Sequence, residues 1–68
     1  MPTDEELKEL GWIPIYEGIY QKGSLVFNCW TDQMVEKGTT RSVRVRPTVD
    51  YTLEMIEAAE KKLLEGAV

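Results

Sequence analysis

Hydrophobic positions recur with a helical period at the C-terminal end of the chain. In residues 52–65, apolar side chains return every three or four positions, which is the spacing of one helix face. The stripe consists of Leu53, Ile56, Ala59, Leu63 and Leu64. Asp50 or Thr52 can cap the first turn, and Gly66 is placed to end the last one. The pattern predicts an amphipathic helix over residues 52–65.

A shorter helix is predicted over residues 3–10. Thr3 and Glu6 have the spacing of a capping box, in which each side chain accepts a hydrogen bond from the other residue's backbone N–H. Gly11 is placed to end the helix in the left-handed conformation that glycine adopts readily. Two turns are marginally stable alone, so this helix needs a core on which to pack.

Between the helices the composition is typical of β-strands. Residues 12–20, 24–33 and 40–47 contain many of the β-branched and aromatic side chains that strands favour. A Lys-Gly pair within residues 21–24 and another within residues 36–39 mark two turns. These signals predict three strands that follow one another through short connections.

The order of the segments predicts an α+β fold in one domain, residues 1–68. It has a short N-terminal helix, a three-stranded antiparallel meander and a C-terminal amphipathic helix packed on one sheet face, in the order α-β-β-β-α. Pro14 lacks an N–H, which favours an edge position for the first strand. Two alternatives remain open: Thr31 could cap one helical turn over residues 31–37, and Gly18 could mark a bulge.

Tight turns would fix the strand register and give the sheet two different faces. One face would be mostly aliphatic and carry Ile13, Ile15, Ile19, Val26, Trp30, Val43, Val45 and Val49. The other would be aromatic and basic and carry Tyr16, Tyr20, Leu25, Phe27, Arg44 and Arg46. Because the aliphatic face matches the stripe of the C-terminal helix, we expect the core there and the aromatic face exposed. A slip of one residue would exchange the two faces.

Composition argues against several kinds of site. The chain has no histidine and one cysteine, Cys29, so it lacks the commonest general base, an internal disulfide and the ligands of a structural zinc site. Neither a glycine-rich phosphate loop nor a calcium-loop motif occurs. We therefore expect a protein that is not an enzyme and that has no metal site and no cofactor.

Charge is unevenly distributed along this chain of net charge −4. Both ends are acidic, whereas residues 21–49 carry five basic and two acidic side chains. The acidic start differs from a signal peptide, and no apolar run is long enough to span a membrane. These features predict a cytoplasmic protein with no membrane association.

Small size, missing catalytic groups and a spare aromatic sheet face predict a protein-binding module. It would be an accessory subunit, adaptor or inhibitor of a larger protein, as small phage-encoded proteins often are, so a viral origin fits. Aromatic and arginine side chains dominate binding hot spots. The predicted partner contacts are therefore Tyr16, Tyr20, Phe27, Arg44 and Arg46. Self-association as a homodimer through this face, or coverage of the face by the N-terminal helix, are the alternatives.

Nucleic acid is the second predicted partner. Its phosphates would be contacted by Lys22, Lys37, Arg41, Arg44 and Arg46. The acidic ends of the chain repel nucleic acid, which favours a protein partner over DNA.

No motif identifies a family, although the layout resembles nucleic-acid-binding domains. The α-β-β-β-α order resembles double-stranded RNA-binding domains. Residues 13–65 are similar in plan to the arm-binding domains of phage integrases and to AP2-type domains, with Gly18-Ile19-Tyr20 before the first turn. The latter two families read DNA with an exposed sheet face, and the resemblance implies such contacts for Arg44 and Arg46.

Overall fold

The computed structural model describes residues 1–47 and 49–66, which form two helices and one antiparallel sheet. The elements are α1 (Asp4–Glu9), β1 (Ile13–Tyr16), β2 (Ile19–Lys22), β3 (Leu25–Asn28), β4 (Gln33–Glu36), β5 (Ser42–Arg44) and α2 (Leu53–Leu64). The strands lie side by side in chain order, β1-β2-β3-β4-β5. The predicted α+β class, with a helix at each end and α2 packed on the sheet, is confirmed. The predicted number of strands is wrong, because the sheet has five strands and not three.

Both ends of α1 are formed by the residues that the sequence indicates. The Thr3 hydroxyl accepts a hydrogen bond from the Glu6 N–H at 3.1 Å, and the Glu6 carboxylate accepts one from the Thr3 N–H at 3.1 Å. At the other end Gly11 has φ +94°, and the Trp12 N–H donates to the Leu7 carbonyl at 2.9 Å. This closure turns the chain back so that Leu7 and Trp12 both enter the core, which is how a two-turn helix becomes stable.

The prediction for α2 is confirmed to within one residue at each end. Thr52 is the N-cap, and its hydroxyl accepts a hydrogen bond from the Met55 N–H at 3.2 Å. Gly66 follows the helix with φ +71°. The buried side of the helix consists of Ile56, Ala59 and Leu63. Leu64, which the stripe included, is exposed.

The first predicted strand, residues 12–20, is in fact a hairpin. β1 and β2 pair in antiparallel fashion and are joined by the two residues Glu17 and Gly18. Gly18 has φ +78°, a conformation that glycine adopts without the steric cost that a Cβ brings. The glycine that the sequence offered as a bulge therefore forms a tight turn, and the strand count rises by one.

The second predicted strand, residues 24–33, also contains a turn. The Asn28 side-chain carbonyl accepts hydrogen bonds from the N–H groups of Trp30 at 2.9 Å and Thr31 at 3.3 Å, which folds the chain back after β3. Asp32 completes the turn with φ +57°. The alternative of a helical turn over residues 31–37 is wrong, because β4 occupies most of that segment.

This second turn reverses the predicted assignment of the sheet faces. In an unbroken strand, Phe27 would share a face with residue 33, but across the turn it lies opposite Met34, which in turn lies opposite Val43. The sheet face under the helices, called the inner face below, carries Tyr20, Leu25, Phe27, Met34 and Val43. The predicted exposed aromatic face is thus wrong: most of its apolar members form the core.

Phe27 lies at the centre of that core and is 0% exposed. The rings of Trp12 and Tyr51 meet it edge to face, with centroids 6.3 Å and 5.2 Å away, and Tyr20 stacks beside it at 6.4 Å. Such pairs add about 0.5–1.5 kcal/mol each to the burial of apolar area. The Trp12 indole N–H is buried and has no acceptor among the described residues.

Candidate functional site: the outer sheet face

The sheet face turned away from both helices is apolar at many of its positions. This outer face carries the apolar residues Ile13, Tyr16, Ile19, Val26 and Val35. It also carries the polar or charged residues Gln21, Asn28, Gln33, Ser42 and Arg44. Ile13 is 52% exposed and Tyr16 is 74% exposed, while Ile19, Val26 and Val35 are half-buried by their neighbours. An antiparallel sheet with one side in water ordinarily carries polar residues on that side, whereas half of these ten positions are apolar.

A bulge in β1 turns two of the exposed side chains to the outer face. Ile13 pairs with Gln21 and Tyr16 pairs with Ile19, so the register shifts by one residue between Pro14 and Tyr16. In a regular strand, residues 13 and 16 would point to opposite faces. The extra residue lets both lie on the outer face, and bulges commonly orient side chains in this way.

Trp30 stands at the end of the outer face, against the turn between β1 and β2. Its indole N–H donates a hydrogen bond to the Glu17 carbonyl at 2.9 Å, although the side chain is 68% exposed. A Cβ on Gly18 would lie 2.1 Å from the Trp30 Nε1 atom, so only glycine leaves room for the ring. The turn thus fixes an exposed tryptophan in one orientation.

Two of the five predicted partner-binding residues lie in the core and not on the surface. Tyr20 is 7% exposed and Phe27 is 0% exposed, so a partner does not reach them in the folded protein. The Tyr20 hydroxyl donates to an Asp4 carboxylate oxygen at 2.9 Å. Burial, and then the hydrogen bond to Asp4, raise the pKa of Tyr20 to about 12.

The other three predicted contacts, Tyr16, Arg44 and Arg46, are exposed. Tyr16 lies at one edge of the outer face and Arg44 at the other, in the same row of paired residues. Arg46 follows β5 on the same edge as Arg44. Their exposure is compatible with binding, while a role in binding stays a prediction.

Two of the five predicted nucleic-acid contacts are paired with acidic side chains. Lys22 lies 2.8 Å from a Glu60 carboxylate oxygen, and the Arg41 Nε donates to Glu36 Oε1 at 2.9 Å. Lys37 lies in the same hairpin loop as Arg41, between β4 and β5. Arg44 and Arg46 line one groove beside β5. Nucleic-acid binding by these residues stays a prediction.

Cys29 belongs to the turn that follows β3, and the Tyr51 hydroxyl donates a hydrogen bond to Asp32 of the same turn. Burial raises the pKa of the Cys29 thiol, which disfavours the nucleophilic thiolate, so the side chain behaves as a small apolar residue packed against the core. Burial and a hydrogen bond to Asp32 also raise the pKa of Tyr51 above its usual range. Both groups are thus held neutral and serve the packing of this turn.

Sequence reasoning missed Ile13, Ile15 and Trp30 as surface residues, because all three were assigned to the core face and all three are exposed. Asn28 is the signal that could have predicted an exposed Trp30. An asparagine side chain commonly closes a turn by accepting a hydrogen bond from the N–H two residues later. Val49, also assigned to the core, is 95% exposed.

Within residues 1–47 and 49–66, no group of three or more His, Cys, Asp or Glu side chains is arranged to hold a metal ion. Neither helix in the same ranges is long and apolar enough to cross a membrane.

No protein-family model, curated protein or solved structure matches the chain.

Proposed function

We propose that this protein is a non-enzymatic protein-binding module that docks on a larger protein with its outer face. The observation that carries the proposal is the exposure of Ile13, Tyr16 and Trp30 on a sheet whose helices all pack on the other side. Exposed aromatic and aliphatic side chains grouped on one surface are typical of interaction sites. The module would serve as an accessory subunit, adaptor or inhibitor.

Trp30 and Tyr16 are the proposed anchors of the interface. Tryptophan and tyrosine are enriched in binding hot spots because they bury a large area at a small cost in side-chain entropy. The hydrogen bond from Trp30 to the Glu17 carbonyl holds the ring before a partner arrives. Less entropy is then lost on binding, so the orientation favours affinity.

The size of the outer face favours a larger partner over a second copy of the chain. Five strands spaced by about 4.8 Å, four of them with four residues and β5 with three, at about 3.3 Å per residue, present roughly 300 Å². A stable interface buries about 800 Å² on each partner. A second flat sheet would cover only the face, whereas a larger protein can also enclose Trp30 and the sheet edges. Two copies of net charge −4 would also repel each other.

Position-specific photo-crosslinking tests the proposal. A photoreactive phenylalanine analogue replaces Tyr16 in one protein and Glu57, an exposed residue of α2, in the control. We expect the first to form one adduct with a larger protein in a lysate of the source organism, and the control to form none. The purified partner should then bind Tyr16→Ala and Trp30→Ala about 10-fold more weakly than the original chain, with Lys37→Ala unchanged.

Four outcomes would contradict the proposal. Equal crosslinking from both positions would show that the outer face is not selective, and affinity unchanged in Trp30→Ala would remove the proposed anchor. An adduct of twice the chain mass, with concentration-dependent sedimentation, would replace the larger partner by a homodimer. Salt-dependent binding of a random 30-base-pair DNA, measured by anisotropy, would favour the nucleic-acid alternative.

A further inference from the structure

The free edge of β5 has backbone groups available for pairing. In the ladder with β4, the Val45 N–H donates to the Asp32 carbonyl at 2.8 Å, and the Arg41 carbonyl accepts from the Glu36 N–H at 3.2 Å. Inter-strand bonding alternates along an antiparallel strand, so residues 41, 43 and 45 bond to β4. The backbone groups of Ser42, Arg44 and Arg46 therefore point away from the sheet, and no hydrogen bond between described residues occupies them.

The opposite edge of the sheet is protected against pairing. β1 contains Pro14, which has no N–H, and its register is broken by the bulge before Tyr16. Proline and bulges are two devices by which edge strands avoid accepting another strand. β5 has neither device: its three pairs with β4 continue in one register from Gln33↔Arg44 to Val35↔Ser42.

A groove of about 260 Å³ runs between this edge and α2. Met55 and Ala58 of α2 supply the accessible apolar floor, and the largely buried Val43, Val45 and Ala59 line the groove as well. Three cations supply the rim, namely Arg44, Arg46 and Lys62. The described residues that line the groove include no acidic side chain, although the chain as a whole has net charge −4. The groove therefore differs in charge from the rest of the molecule.

We propose that the β5 edge binds an extended acidic peptide segment, which adds to the sheet as a sixth strand. Successive side chains of an added strand point to opposite faces. Those on the α2 side meet the apolar floor, and those on the other side meet Arg44 and Arg46. The preferred segment therefore alternates acidic and apolar residues, with backbone hydrogen bonds giving affinity and side chains giving specificity. The row of positive charges also repels the β5 edge of a second copy.

This site goes beyond the proposed docking of the outer face, because it needs neither Tyr16 nor Trp30. A variant Tyr16→Ser/Trp30→Ser removes the anchors of the outer face and leaves the β5 groove intact. The failure of one proposal is thus distinguishable from the failure of the other.

The first test is fluorescence anisotropy with two labelled eight-residue peptides, one alternating Glu and Val and the other alternating Lys and Val. We expect the Glu-Val peptide to bind at least about 10-fold more tightly, since opposite charges attract across an interface. The double variant Arg44→Gln/Arg46→Gln should weaken Glu-Val binding by about 10-fold or more. Lys37→Gln, which removes an exposed positive charge in the β4–β5 loop, should change it less than about twofold, and so should Tyr16→Ser/Trp30→Ser.

The second test asks whether the backbone of the peptide pairs with β5. Two Glu-Val peptides carry N-methyl groups, one on the odd and one on the even residues. A strand that adds to an edge directs alternate N–H groups toward it, so one methylated peptide should lose binding and the other should keep it. Equal binding of both peptides, equal loss in both, or equal affinity for the Glu-Val and Lys-Val peptides would overturn the proposal.

Discussion

The two faces of the sheet carry similar kinds of side chain but lie in opposite environments. Phe27 on the inner face is 0% exposed, whereas Tyr16 on the outer face is 74% exposed. Aliphatic residues occur on both faces: Leu25 is buried under the helices, and Ile13 is exposed. The difference therefore does not come from composition. It comes from which face the two helices cover.

The comparison also separates two uses of aromatic residues. On the inner face, Trp12, Tyr20, Phe27 and Tyr51 pack on one another and hold a small core together. On the outer side, Trp30 is fixed by one hydrogen bond and touches a glycine turn. A 68-residue chain has little area to bury, so leaving Tyr16 and Trp30 exposed weakens the fold and favours a role in binding.

Substitutions at neighbouring positions of β3 should separate the faces most strongly. Phe27→Ala opens a cavity in the centre of the core and is expected to cost about 3–5 kcal/mol of unfolding free energy. Val26→Ala, on the half-buried outer face, should cost less than about 1 kcal/mol. Urea denaturation followed by circular dichroism measures both, with Phe27→Leu as the milder variant if Phe27→Ala does not fold. Similar losses at both positions would mean that the faces are assigned wrongly.

Alkaline pH should act on the inner face through Tyr20. Folding raises its pKa from 10 to about 12, so the folded state holds the phenol proton more tightly than the unfolded state. The stabilisation is complete below pH 10 and is lost as the pH rises from 10 to 12. Denaturation midpoints measured over this range should therefore fall. Tyr20→Phe, which has no ionisable hydroxyl, should flatten the slope; an unchanged slope would contradict the assignment.

Two glycine substitutions should isolate the contact that fixes Trp30. Gly18→Ala and Gly23→Ala both place an alanine at positive φ, which costs about 1–2 kcal/mol in each case. Only Gly18→Ala also displaces the Trp30 ring, because no atom lies within 4 Å of a Cβ on Gly23. We expect Gly18→Ala to be less stable than Gly23→Ala by about 1 kcal/mol and to change Trp30 fluorescence. Equal stabilities and equal spectra would show that Trp30 is not held by the turn.

Much of the fold follows from local signals in the sequence. The capping box of Thr3 and Glu6, the N-cap Thr52 and the glycines after both helices set the helix boundaries. The edge position of β1 follows from Pro14, and the inward direction of Val43 follows from the alternation in β5. Each of these signals acts within a few residues, which is why the sequence alone is sufficient to find it.

The candidate site was less predictable, since the exposure of its residues depends on turns and strand pairing that involve other parts of the chain. Tyr16 and Arg44 were expected on the surface and are exposed there, but Tyr20 and Phe27 were expected beside them and are buried. Trp30 was expected in the core, and the Asn28 turn brings it to the surface instead.

What the sequence determined by itself is thus the helix at each end with its caps, the β-rich region between the helices and two of the four turns between strands. Only the tertiary structure decided the number of strands, the face that the helices cover and the two edges of the sheet. The physical reason is that side chains alternate in strands with a period of two. Because the turn after Asn28 was not recognised, the side chains of the strands before it were assigned to the wrong sheet face relative to the side chains of β5. Local composition then cannot decide between them, because both faces are apolar enough to pack against a helix.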